Sequence, residues 1–150
     1  MDLVDYLPES RIVVNLDGKD KYQVMEKLLD VLVEEKKVFD KERAWNDLVE
    51  REQYLSTGLE NGLAVPHAKT DAVRELVVAF GLSKKGVEFD SLDGKPAHFI
   101  FLVLSPRETS GPHIKMLAQI TRLFRNLELG ERLLQVNSPK EVREILHSSE

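Results

Sequence analysis

Two near-continuous apolar runs, Leu76 to Leu82 and Phe99 to Leu104, constrain this chain more than any other feature. Each is far shorter than the roughly 20 residues of a membrane span, so both read as strands. Neither alternates with polar residues, which predicts central strands covered on both faces. Such a sheet needs helices on two sides, and the flanking sequence supplies them. Val24, Met25, Leu28, Leu29, Val31 and Leu32 carry the spacing of an amphipathic helix starting near Lys21 and leaving at Glu34-Glu35-Lys36-Lys37. Asp40 can N-cap a second helix through Ala44, Trp45, Leu48 and Val49 to about Glu52. Pro112 suits the first turn of a third helix, with Ile114, Leu117, Ile120, Leu123 and Phe124 apolar and His113 in that turn. Ser138-Pro139-Lys140-Glu141 is a capping box opening a last helix through Val142, Ile145 and Leu146.

Arg11 to Leu16 predicts an opening strand, ended by Asp17-Gly18. A loop over 56–62 leads to a short strand at 63–66, which Pro66 should stop so that His67 emerges at its end. Val87-Glu88-Phe89 and the Asp93-Gly94 turn suggest a minor hairpin between the two apolar runs. The fold class is α/β: one domain over residues 1–150, a mixed, mostly buried sheet flanked by helices on both faces. A chain of 150 residues buries roughly 70% of its unfolded surface, enough to fold without a metal or disulfide.

The absence of cysteine removes disulfides, thiolate metal sites and cysteine nucleophiles together, leaving oxygen or imidazole as the nucleophile. A formal charge of −5 is the wrong sign for gripping nucleic acid or an anionic membrane. The opening residues lack a signal peptide's basic and apolar regions, so a cytoplasmic protein without membrane insertion is expected, as monomer or dimer. Gly58 and Gly62 lack the Gly-Lys-Ser/Thr element of a phosphate-binding loop, so no nucleotide cofactor is expected.

Of the four histidines, His67 stands behind a rigid proline at a strand's carboxyl end, where open α/β sheets bind ligands. Imidazole there suits covalent transfer of an electrophilic group; alternatively, Pro66-His67 simply ends a strand at the surface. His113 would share a helix N-terminus with free amides that attract a phosphoryl group, or be a polar helix starter without a partner. Arg51 can swing into the same cleft and offer bidentate donation to phosphate, or form an ordinary surface ion pair. Ser56, Thr57 and Asn61 can orient an imidazole or a phosphoryl oxygen, and are equally common in turns. No metal-ligand spacing joins the histidines; His98 and His147 read as solvated bystanders.

The run Arg51-Glu52-Gln53-Tyr54-Leu55-Ser56-Thr57-Gly58-Leu59-Glu60-Asn61-Gly62-Leu63-Ala64-Val65-Pro66-His67-Ala68-Lys69 resembles the active-site signature of a known family. That family is the fructose/mannitol-type (type 2) enzyme IIA domain of the phosphoenolpyruvate-dependent sugar phosphotransferase system, including the nitrogen-regulatory IIA proteins. The similarity extends over essentially the whole chain. It implies that His67 accepts a phosphoryl group from the carrier phospho-HPr and passes it to a cysteine of a IIB domain. It also implies that His113 helps hold the group, that Arg51 is the arginine beside the pocket, and that no metal or cofactor is needed. Glu60 departs from the glycine often found in the family and is expected to point into solvent.

Three functions remain open: a phosphocarrier in sugar uptake, a nitrogen-type switch controlling a regulatory target protein, and a noncatalytic interaction domain of the same fold. Phosphorylation adds enough charge to reverse complementarity with a partner, which makes the second physically sound. A metal-dependent hydrolase is a distant fourth.

Overall fold

The computed structural model describes residues 2–149. Two single-turn 3-10 helices, Leu3–Tyr6 and Glu9–Arg11, precede strand β1, Ile12–Val13. Helices α1, Lys21–Glu34, and α2, Lys41–Tyr54, are followed by strands β2, Leu63–Ala64, β3, His67–Lys69, β4, Val77–Val87, and β5, Ala97–Ser105. Helices α3, Gly111–Leu123, α4, Leu127–Leu133, and α5, Pro139–Ser149, complete the chain.

The apolar runs form the long antiparallel pair β4–β5 at the centre of a five-stranded mixed sheet. Their residues alternate between two cores. Val78, Phe80, Leu82, Phe99, Phe101 and Val103 pack with Met116, Ile120, Leu129, Leu133, Val142 and Leu146 of α3, α4 and α5. Val77, Ala79, Ile100, Leu102 and Leu104 face Val24, Met25, Leu28, Leu32, Ala44 and Leu48 of α1 and α2. Burial on both sides explains the unbroken hydrophobicity, as expected for a central strand. At Gly81 an added Cβ would lie 2.3 Å from Leu16 Cδ2, so a larger residue there would displace Leu16.

The helix starts follow local chemistry. Asp40 accepts from the Arg43 amide at 3.0 Å, and Ser138 Oγ accepts from the Glu141 amide at 3.2 Å. Asp20 caps α1 through the Gln23 amide at 2.9 Å.

Four expectations change. The opening strand shrinks to Ile12 and Val13, parallel to β4, though the Leu16 amide still donates to the Leu82 carbonyl at 3.0 Å. No separate hairpin lies between the apolar runs: Val87 ends β4 and pairs with Ala97, so 88–96 connects the two long strands. Helix α3 buries His113, Met116 and Ile120, while Ile114 is 63% exposed, because the buried stripe begins at the imidazole. His98 is half-buried, its Nδ1 2.8 Å from the Ser83 carbonyl.

Pro66 also fails to end the edge strand. Leu63 lies opposite Phe99 and His67 opposite Val103, so β2 and β3 follow β5 in one register with an interruption between them. The Pro66 carbonyl still accepts from the Val103 amide at 3.0 Å. An edge position needs no outward N–H, which is why proline is accommodated.

Candidate active site

The segment before His67 is a miniature hairpin rather than an open loop. The Leu59 amide donates to the Leu63 carbonyl at 2.9 Å and the Val65 amide to the Thr57 carbonyl at 3.1 Å. Its tip is Asn61-Gly62, with φ of 62° and 78°, the pairing that a tight turn with two left-handed residues favours. Asn61 therefore serves the turn, and its Nδ2 donates to the Phe124 carbonyl at 3.1 Å.

The hairpin delivers His67 to the start of β3, half-buried in a cleft of about 450 Å³. Asp47, Glu50, Arg51 and Tyr54 of α2 line one side; Lys69, Arg107 and His113 line the rest. His67 Nδ1 lies 2.7 Å from the Val65 carbonyl. A carbonyl only accepts, so Nδ1 carries the proton and Nε2 keeps its lone pair. Burial pushes the His67 pKa below the ordinary histidine value, and Arg51 adds to that; the Val65 bond and Glu52 act the other way. The net lowering favours the neutral ring at pH 7.

His113 is 6% exposed in the first turn of α3, its ring centroid 5.4 Å from that of His67. Its Nδ1 lies 2.5 Å from Ser105 Oγ at the end of β5. Burial, with the neighbouring His67 and Lys69, lowers its pKa to about 4. Two neutral imidazoles thus face a cleft whose rim carries three cations.

Arg51 donates through Nη1 to the Leu55 carbonyl at 2.6 Å, which fixes the guanidinium beside the cleft. Arg107, which lines the cleft, pairs with Asp47 at 3.2 Å and with Asp71 at 3.4 Å. Ser56 and Thr57 do not line the cleft. Ser56 Oγ donates to the Phe89 carbonyl and accepts from the Gly58 amide at 3.0 Å. The Thr57 hydroxyl donates to Glu52 Oε1 at 2.6 Å, and its amide to Oε2 at 3.0 Å. The structure brings His67, His113 and Arg51 together, and uses Ser56, Thr57 and Asn61 to shape the hairpin behind them. Glu60 is exposed and outside the cleft.

Sequence reasoning missed Lys69 and Arg107 on the rim and Glu52 and Lys21 behind it. Lys21 Nζ reaches Glu52 Oε2 at 3.1 Å and Asp90 Oδ2 at 3.2 Å. Its place beside the Asp20 cap, at the first turn of an amphipathic helix, gave no sign of burial. Among the described residues, no group of three or more histidine, aspartate or glutamate side chains is placed to hold a metal ion, and no helix is long and apolar enough to cross a membrane.

This architecture and this cleft are those of a phosphotransferase-system IIA fold. The family model described as "Phosphoenolpyruvate-dependent sugar phosphotransferase system, EIIA 2" matches residues 5–149, and the chain belongs to that family. It is 37% identical to the "PTS system fructose-specific EIIA component" of Haloferax volcanii over 97% of this chain and 94% of that one. It is 32% identical to the "PTS system fructose-specific EIIABC component" of Bacillus subtilis, of whose length it spans 23%. The nitrogen regulatory protein IIA-Ntr of Neisseria meningitidis superposes with a TM-score of 0.88 at 33% identity, covering 96% of this chain and 98% of that one. The fold is also that of enzyme IIAMTL of Escherichia coli, solved in complex with phosphorylated enzyme IIBMTL (TM-score 0.82, 23% identity, 95% and 97% covered). Phosphoryl transfer is the general kind of reaction of this family, which is named for both sugar transport and nitrogen regulation.

Proposed function

We propose that this protein is a histidine phosphocarrier. Phospho-HPr supplies the phosphoryl group, His67 holds it, and a cysteine of a IIB domain receives it in fructose/mannitol-type sugar uptake. The observation that carries the reading is the Nδ1 bond to Val65, which leaves Nε2 as the nucleophilic nitrogen of a neutral ring beside three cations.

In the accepting step the Nε2 lone pair forms a bond to phosphorus as the donor's N–P bond breaks, and the donor imidazole regains its electron pair. The onward step repeats this with a thiolate as nucleophile. Both place charge on the three phosphoryl oxygens, so positioning and electrostatic stabilisation do most of the work. Arg51, Lys69 and Arg107 supply that charge, Arg51 with a planar fork suited to two oxygens. His113 is neutral; in the tautomer whose Nδ1 accepts from the Ser105 hydroxyl, its Nε2–H donates to the phosphoryl group. No metal or nucleotide is needed in either step.

The 33% identity with a IIA-Ntr protein, against 37% with a fructose-specific component, supports a second reading. In it, the same phosphoryl group on His67 switches the binding of a regulatory target.

Intact-mass spectrometry near neutral or mildly basic pH, after incubation with phosphoenolpyruvate, enzyme I and HPr, tests the shared step. One phosphoryl group should appear on the parent and none on His67→Ala. No gain on the parent, with carriers verified active, overturns the proposal in favour of a noncatalytic interaction domain. Transfer from the phosphoprotein to a IIB domain then separates the carrier from the switch.

A further inference from the structure

Behind His67 lies a buried charge that the transfer step does not touch. The Glu52 carboxylate is 1% exposed and accepts from three donors: Lys21 Nζ at 3.1 Å, the Thr57 amide at 3.0 Å and the Thr57 hydroxyl at 2.6 Å. The Thr57 carbonyl in turn accepts from the Val65 amide at 3.1 Å, and the Val65 carbonyl from His67 Nδ1 at 2.7 Å. These bonds run without a gap from the end of α2 to the imidazole.

We infer that Glu52, through Thr57 and Val65, is a positioning residue that fixes which nitrogen of His67 carries the proton. The inference rests on the reading that Nε2 takes the phosphoryl group. A histidine's tautomer is set by the bond its other nitrogen makes. Val65 can hold the proton on Nδ1 only while its carbonyl stays aimed at the ring, and its own amide is anchored to Thr57. Thr57 is in turn held at two points by one carboxylate. Lys21 pairs with that carboxylate in the interior, the pairing and hydrogen bonding that a buried charge requires. Glutamine cannot replace it: one oxygen would face three donors, and its NH2 would add another.

The test uses 15N shifts of the His67 ring at neutral pH, alongside phosphorylation by phospho-HPr, in the parent, Glu52→Gln, Thr57→Val and Thr57→Ser. In the parent, Nε2 should show the unprotonated shift. Glu52→Gln and Thr57→Val should both raise the Nε2–H form and slow phosphorylation about tenfold, with the KM for phospho-HPr within about twofold. Thr57→Ser, which keeps the hydroxyl, should restore both readouts. Should Glu52→Gln fail to fold, Thr57→Val decides, since it removes one bond and keeps the shape.

An unchanged tautomer ratio in a folded variant overturns the inference, whether or not the rate falls. A parent that takes no phosphoryl group but still shows the tautomer shift in the variants would instead overturn the phosphocarrier reading alone.

Discussion

Lys21–Glu52 at the rear of His67 and Arg107–Asp47–Asp71 at its mouth pair the same kinds of charge within one small region. Their surroundings differ. The side chains of Lys21 and Glu52 are 11% and 1% exposed, whereas those of Arg107 and Asp71 are 49% and 55% exposed, with Asp47 between them at 15%. Burial alone penalises the charge on Lys21, yet Glu52 and Asp90 hold its pKa above the usual lysine value. The rear pair is bound to its place by desolvation, because losing one partner strands the other. The Arg107–Asp71 pair, exposed on both sides, is worth little to the fold.

The largest expected effect tests the rear. Glu52→Ala should lower unfolding free energy by about 3 kcal/mol or more in urea titration, against less than about 1 kcal/mol for Arg107→Ala. Equal losses would break the comparison.

Acid should find the buried half next. The folded-state pKa of His113 is about 4, while the unfolded histidine titrates near 6.5. The unfolded chain therefore binds the proton first. Stability present above about pH 6.5 should fall by up to about 3 kcal/mol as pH drops toward 4. His113→Gln should flatten that limb in thermal melts across the range.

The lowered His67 pKa gives a rate prediction of the same sign. Phosphorylation should be level at pH 7 and above, and decline only below the ordinary histidine range, as the ring becomes charged. A single-turnover rate that halves near pH 7 would contradict the neutral nucleophile. The smallest effect belongs to the mouth: Arg107→Ala should slow phosphorylation a few-fold at low ionic strength, and the difference should shrink as salt screens the exposed cation. A salt-independent defect would mean that Arg107 is held as firmly as Lys21.

Much of this was legible in the sequence, and the gaps share a cause. The apolar runs announced a sheet covered on both sides, and Asp40 and Ser138 announced helix starts, because each signal is local. Local context singled out His67, His113 and Arg51, and the resemblance carried by the run from Arg51 to Lys69 implied their roles. Glu52 and Lys21 escaped notice because a charged residue on an amphipathic helix reads as solvated until tertiary packing closes over it. Ser56, Thr57 and Asn61 were drawn to the phosphoryl pocket by residue type, whereas the hairpin geometry decided their partners. Pro66 looked like a strand terminator because sequence does not reveal which strand lies at a sheet's edge. Helix α4 was overlooked, although Asn126 at its start accepts from the Glu128 amide at 3.0 Å.

The last residues of β5 serve both histidines. Val103 lies opposite His67 in the sheet, and Ser105 receives the Thr70 amide on its carbonyl at 2.9 Å while its hydroxyl meets His113. The two rings, one on β3 and one on α3, thus share β5 as a common neighbour. Under the proposed function, the two imidazoles already face each other before a donor arrives, and the rate is expected to follow partner arrival and departure.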